Sequence, residues 1–180
     1  MSQFLKSFLA ISLLFVVAFI FLGLLLPKKE SITVTKDLKC TPEHVFAQIN
    51  ELKNWESWSA WAKLDPNMKK AYNEIPAGEG ASYSWEGNSK VGKGTLTILH
   101  SIPNQRIDMN LFFDGQGDAK TNIVIIPKNA GSTVSWTMNL GYPQNNVFRS
   151  IFGGYMYLMM KYFLTSDFET GLENLDKTCN

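Results

Sequence analysis

Hydrophobic positions follow three rhythms along this chain, and each belongs to a different stretch. From Phe8 to Leu26 apolar residues are continuous, with Ser12 the one polar side chain and Gly23 the one weak helix former. At about 1.5 Å per residue, a helix of this length covers roughly the 30 Å hydrocarbon core of a bilayer. A core helix of a small domain would need a solvent face, which this run lacks. The main rival is a cleaved signal peptide, for which Lys6 supplies a positive start. Against it, the run exceeds the usual apolar region of about 7 to 15 residues. It also ends in Leu26-Pro27-Lys28-Lys29 with no small-x-small cleavage pattern. The expectation is an uncleaved single-pass anchor spanning residues 8–26, within an N-terminal segment 1–27. Lys6 and the amino terminus oppose Lys28 and Lys29 across the run, so the positive-inside rule leaves open the side on which residues 28–180 lie.

The second rhythm is alternation. Ile32, Val34 and Leu38 alternate with polar residues over Glu30 to Lys39, which predicts a first strand. Thr41-Pro42-Glu43 then reads as a helix start: a hydroxyl to cap free N–H groups, a proline where no N–H is needed, and a carboxylate at the positive end of the dipole. That helix runs to about Leu52 and buries Val45, Phe46, Ile49 and Leu52. Trp55, Trp58 and Trp61, three apart, share one broad face of a following helical stretch. Asp65-Pro66-Asn67 closes it, because the residue before a proline is driven from helical geometry. Between Met68 and Leu140 the pattern is six short strands joined by Gly, Asn and Pro turns, an antiparallel meander. Their inner faces carry Tyr83 and Trp85, then Leu96 and Ile98, then Ile107, Met109, Leu111 and Phe113, and last Val134, Trp136, Met138 and Leu140.

The third rhythm is helical. From about Asn145 to Lys177 there is no proline. Val147, Ile151, Tyr155, Leu158, Met159, Tyr162 and Phe163, then Phe168, Leu172 and Leu175, predict one long amphipathic helix along a single apolar face. Such a helix needs a concave apolar partner, which a curved antiparallel sheet supplies. The order of strand, two short helices, six strands and long helix therefore predicts an α+β domain over residues 28–180, its sheet wrapped around the C-terminal helix.

Composition narrows the function classes. The 180 residues carry 17 Lys+Arg against 16 Asp+Glu, and 13% of them are aromatic. There is no basic surplus to neutralise a phosphate backbone, and the aromatic content opposes disorder. Cys40 and Cys179 do not make the paired spacing of a structural zinc site, so no metal is expected; whether they meet stays open.

Particular residues make the chain familiar. Leu26-Pro27-Lys28-Lys29 after an apolar start, Thr41-Pro42-Glu43-His44-Val45-Phe46, Asn54-Trp55 with Trp58 and Trp61, and Asp65-Pro66-Asn67-Met68 are four such marks. Gly80-Ala81-Ser82-Tyr83-Ser84-Trp85-Glu86-Gly87, Gly92-Lys93-Gly94 and Phe113-Asp114-Gly115-Gln116-Gly117 extend them. With these, nearly the whole chain resembles the membrane-anchored branch of the SRPBCC, or START/Bet v 1-like, superfamily of polyketide cyclase/dehydrase and lipid transport proteins. The resemblance implies a helix-grip fold: seven antiparallel strands around a long C-terminal helix, with a hydrophobic cavity between. Its members include ligand carriers, cyclases, hydroxylase domains and co-chaperone domains, so function has to come from the site.

The titratable residues offer little chemistry. His44 lies in the first turn of a helix and His100 ends a strand, neither beside a fixed acidic orienter. Gly78-Glu79-Gly80 and Gly92-Lys93-Gly94 sit between strands, unlike a phosphate loop, which opens a helix. Asp114-Gly115-Gln116-Gly117-Asp118 lacks the ligand rhythm of a calcium loop. The richest pattern is aromatic and sulfur-bearing: Trp55, Trp58, Trp61, Tyr83, Trp85, Met109, Trp136, Tyr155 and Met159 are the candidate ligand-binding residues, with core packing as their ordinary alternative. The expected function is binding of a hydrophobic small molecule or lipid by a membrane-tethered domain, with no cofactor and no nucleic acid. A cyclase-like or hydrolytic enzyme would need an inward polar group with a displaced pKa. A protein-interaction domain would have no cavity of ligand size. Nothing in the sequence indicates the oligomeric state.

Overall fold

The alternation in residues 31–139 becomes a single sheet in the computed structural model, which describes residues 2–27, 31–115, 117–139 and 147–179, with backbone only at 147–150. Lys28, Lys29, Leu140 and residues 145–146 lie outside the described residues, as does the side chain of Val147. Helix α1 is Gln3–Leu25, β1 Ser31–Leu38 and α2 Pro42–Asn50; a 3₁₀ turn at Leu52–Asn54 leads into α3, Trp55–Trp58, and a second at Trp61–Lys63 follows. Six strands come next: β2 Lys69–Tyr72, β3 Ser82–Glu86, β4 Lys93–Ile102, β5 Arg106–Phe113, β6 Gly117–Lys128 and β7 Gly131–Asn139. Helix α4, Val147–Lys177, ends the chain.

Two compact units result. One holds α1 and the first half of α4, to Tyr162; the other holds the sheet, α2, α3 and the second half of α4 from Phe163. In the larger unit the seven strands run β1-β7-β6-β5-β4-β3-β2, each antiparallel to its neighbour. Consecutive hairpins build β2 through β7, and the first strand returns to pair with the last, Val34 opposite Trp136. The alternation sorts as the residue pattern predicts: Ile32, Val34, Leu38, Tyr83, Trp85, Leu96, Ile98, Ile107, Met109, Ile123, Ile125, Val134, Trp136 and Met138 are buried. A bulge between Ile98 and His100 breaks the register of β4, and Leu99 and His100 are exposed in succession.

α2 forms for the reasons its sequence supplies. Thr41 caps it by accepting the His44 N–H, Pro42 occupies its first turn, and Val45 and Ile49 are fully buried. The second half of α4 is held to the sheet unit at several points. Lys36 of β1 pairs with Glu173 at 2.8 Å, Asn174 donates to the Trp58 carbonyl at 3.2 Å, and a disulfide joins Cys40 to Cys179. This is the helix-grip fold.

α4 departs from expectation in its first half. The buried stripe is Tyr157, Leu164, Phe168, Leu172 and Leu175, while Leu158, Met159, Tyr162 and Phe163 point outward. At about 100° per residue the two sets lie on opposite sides of the helix. Residues 151–164 are apolar nearly all round, so periodicity could not choose between them.

α1 is exposed along its length except at Gly23. It is the one helix among the described residues that is long and apolar enough to cross a membrane, a test that a signal sequence also passes.

Candidate functional site

Trp55 and Trp58 are one helical turn apart on α3 and tilt together at 4.6 Å between ring centroids. Each meets Trp136 of β7 nearly edge-on at 5.7 Å, and Trp136 stacks on Phe168 of α4 at 4.1 Å with the planes 6° apart. Gly171 allows this approach, since a Cβ there would stand 3.2 Å from Trp136 Cζ3. Every indole N–H in the cluster already has an acceptor. Trp55 donates to the Ile49 carbonyl at 2.9 Å and Trp58 to that of Gln48 at 3.2 Å. Trp136 donates to Thr121 Oγ1 at 2.9 Å, and that hydroxyl donates to the Thr137 carbonyl at 2.7 Å. The rings are buried against one another, and no indole N–H among them is left unpaired.

A second aromatic chain crosses the other end of the sheet. Half-buried Trp61 meets Phe113 edge-on at 6.3 Å, Phe113 meets Trp85 at 5.6 Å, Trp85 lies 6.0 Å from Tyr83, and Tyr83 lies 5.4 Å from Tyr72. Trp85 donates to the Val91 carbonyl and its ring covers Gly94 on the neighbouring strand. The Lys70 ammonium sits 5.6 Å from the Tyr83 centroid and is paired with Glu56, which also accepts from Tyr72 Oη at 3.2 Å. Loss of solvent, then the charge of Glu56, push the Tyr72 phenol up to about 12. Burial likewise pushes Tyr83 up.

The remaining candidates fall elsewhere. Met109 is fully buried in the middle of the sheet, between Ile98 and Thr121 on the adjacent strands. Tyr155 belongs to the helical unit, where it stacks on Phe19 at 4.4 Å and donates to the Phe19 carbonyl at 2.7 Å. Met159 is exposed. The nine residues thus divide into two aromatic groups, one core methionine and two positions on the first half of α4.

Both histidines have structural partners. His44 Nε2 lies 2.9 Å from Thr178 Oγ1, and His100, on the surface, stands 3.5 Å from Glu79. Burial pushes Asp167 up, and a hydrogen bond from Lys128 is the first cause holding Asp37 low. Cys40, His44 and Cys179 bring ligand-type atoms within 4.8 Å of one another, but the disulfide engages both sulfurs and makes this group a covalent clamp between the start of α2 and the end of α4. Asp65 belongs to the turn that stops the tryptophan segment. It is buried, accepts the Asn67 and Asn88 N–H groups at 3.0 and 2.7 Å, and so pins the β3–β4 turn to the tryptophan segment. Only the Asp-Pro-Asn turn signal hinted at it, and the partner 23 residues on was invisible. Of the glycines in the two Gly-x-Gly sequences, Gly78, Gly80 and Gly92 are turn residues with φ of 80°, 85° and 62°, while Gly94 lies within β4.

Solved structures share this arrangement. CV1439 from Chromobacterium violaceum superposes with a TM-score of 0.58 at 17% identity, covering 84% of this chain and 98% of its own. SA2116 from Staphylococcus aureus, described as of unknown function, gives 0.60 at 10% identity, covering 82% and 94%. A protein from Staphylococcus epidermidis gives 0.60 at 14% identity, covering 87% and 93%. At such identities the likeness speaks for the fold. No curated protein sequence matches the chain. The family model described as polyketide cyclase / dehydrase and lipid transport matches residues 29–180, nearly all of the chain beyond its apolar start, and the chain belongs to that family.

Proposed function

We propose that this protein is a membrane-anchored, non-catalytic binding domain that holds a hydrophobic small molecule or lipid between its sheet and α4. The observation that carries this reading is the chemistry of the covered sheet face. Leu96, Ile98, Met109, Ile123, Val134 and Trp136 present hydrocarbon, thioether and indole, while the buried hydroxyls of Thr121 and Ser132 are committed, the first to Trp136 and Thr137 and the second to the Cys40 carbonyl. A cyclase or hydrolase would need an acid or base facing inward, and the two histidines are engaged with Thr178 and Glu79 instead. Family membership supports an apolar ligand class. Half-buried Trp61 with Phe113 is the proposed entrance, leading to Trp85 and Tyr83, and Trp55, Trp58 and Trp136 form the closed end.

α1 supports the tether, keeping the domain close to ligand dissolved in the bilayer. The Cys40–Cys179 disulfide supports a folded domain on the oxidising side of the membrane, where such bonds persist. Native mass spectrometry of the full chain purified from membranes tests the function: a co-purifying lipid or apolar metabolite, lost on Trp85→Ala, is expected. A ligand-free protein that also leaves an apolar fluorescent probe unbound would refute it.

A further inference from the structure

The outward face of α4 changes character at one point along the helix. Leu158, Met159, Tyr162 and Phe163 are exposed and apolar or aromatic; one turn later the same side carries exposed Ser166, Glu169, Thr170 and Glu173. Spacings of three and four residues keep Tyr155, Leu158, Met159, Tyr162, Ser166, Glu169 and Glu173 on one side of the helix, so the change is of solvent and not of face. Leu164, on the opposite side, stays buried through the change, as do Phe168 and Leu172 beyond it.

The same side touches α1 just upstream. Tyr155 stacks on Phe19, and a Cβ on Gly23 would stand 2.9 Å from the Tyr155 ring and 3.1 Å from the Ile151 carbonyl carbon. Gly154 is as close to Leu26. Phe19 and Gly23 of α1 and Leu26 just past its end all meet residues 151–155, so α4 crosses α1 at one place near the end of the apolar run. Glycines at such crossings let helices pack closely where lipid provides no hydrophobic drive. The contact fixes a depth: if α1 spans, Tyr155 sits within about 10 Å of the membrane exit at Leu26.

We infer that Tyr155–Phe163 of α4 lies in the bilayer interface beside α1, its Leu158, Met159, Tyr162 and Phe163 side chains among lipid acyl chains, and that the membrane boundary on this helix falls between Phe163 and Ser166. Continuity with the α1 contact selects lipid as the occupant, since a surface joined to a span at that depth meets lipid first. Tyrosines suit the headgroup level, and exposed Lys161, on the Tyr157–Leu164 side of the helix away from the lipid-facing set, can extend its ammonium toward water. The inference rests on the membrane-anchor reading and gives it a second element.

The test is photolabelling of the full-length chain in phosphatidylcholine vesicles doped with a phosphatidylcholine bearing a diazirine on its acyl chain, with adducts mapped by mass spectrometry. Adducts are expected on α1 and on residues 156–163, and not on 166–175. The double variant Leu158→Glu/Met159→Glu, placed at exposed positions, should lose the α4 adducts severalfold while keeping those on α1. Adducts confined to α1 would overturn the inference and leave the anchor standing; adducts on neither helix would overturn both. Cross-links from Met159 to a protein or to a second copy, with no lipid adduct on α4, would also overturn it.

Discussion

At the scale of single residues, close packing sets what the sheet tolerates. A Cβ on Gly94 would fall 2.6 Å from Trp85 Cη2 and press on the β5 backbone, so this glycine is required by the ring opposite it rather than by a turn. Gly94→Ala is expected to destabilise the protein by about 1–3 kcal/mol in chemical denaturation and to shift Trp85 emission, since overpacking forces ring or strand to move. Tyr72 and Tyr83 make a second residue-scale case. Their phenols are held neutral by loss of solvent and by nearby Glu56, so in an absorbance titration two of the six tyrosines should ionise late, Tyr72 near pH 12. For a group whose pKa rises on folding, the stabilisation is complete below the unfolded value near 10 and is lost as pH climbs toward 12. Denaturation midpoints should therefore fall over that alkaline window, and less steeply in Tyr72→Phe.

Among elements, α4 carries the most. Its second half docks through Phe168, Leu172 and Leu175 and is closed by the Cys40–Cys179 disulfide, which joins residues 139 apart in sequence. Loops that long give a disulfide its largest entropic effect. The paired Cys40→Ser/Cys179→Ser variant should lose about 2–5 kcal/mol of unfolding free energy while its folded spectrum is retained. A loss below that range would mean Lys36–Glu173 and the aromatic stack already hold the helix end. The stack itself is exposed to a second change: Trp136→Ala removes a ring that touches Trp55, Trp58 and Phe168 and should cost about 3–5 kcal/mol by thermal denaturation.

For the whole molecule, the disulfide and the apolar helix together make a statement about topology. If α1 spans as proposed and the clamp is oxidised, the sheet domain is expected on the oxidising side and the short N-terminal tail on the other. In intact cells, a membrane-impermeant phosphine followed by a membrane-impermeant maleimide–polyethylene glycol should shift the full-length chain on a gel. Labelling only after the cells are permeabilised would put the domain on the reducing side.

The strand order, the α2 start at Thr41-Pro42-Glu43 and the inward set from Ile32 to Met138 were legible in the chain, because a period of two and a proline-led cap are local properties written into neighbouring residues. The tryptophans were legible as a pattern, though not as two separate aromatic groups, since Trp136 and Phe168 approach Trp55 and Trp58 only across the fold. Asp65 and the disulfide depended on partners 23 and 139 residues away, which spacing does not encode. The sharpest division runs through α4. Its sequence determines that residues 151–177 are helical and that the side bearing Ser166, Glu169 and Glu173 is polar. Only the tertiary structure decides that Tyr157 and Leu164 turn inward and Met159 and Tyr162 outward, because a helix apolar all round has no preferred face until its neighbours supply one.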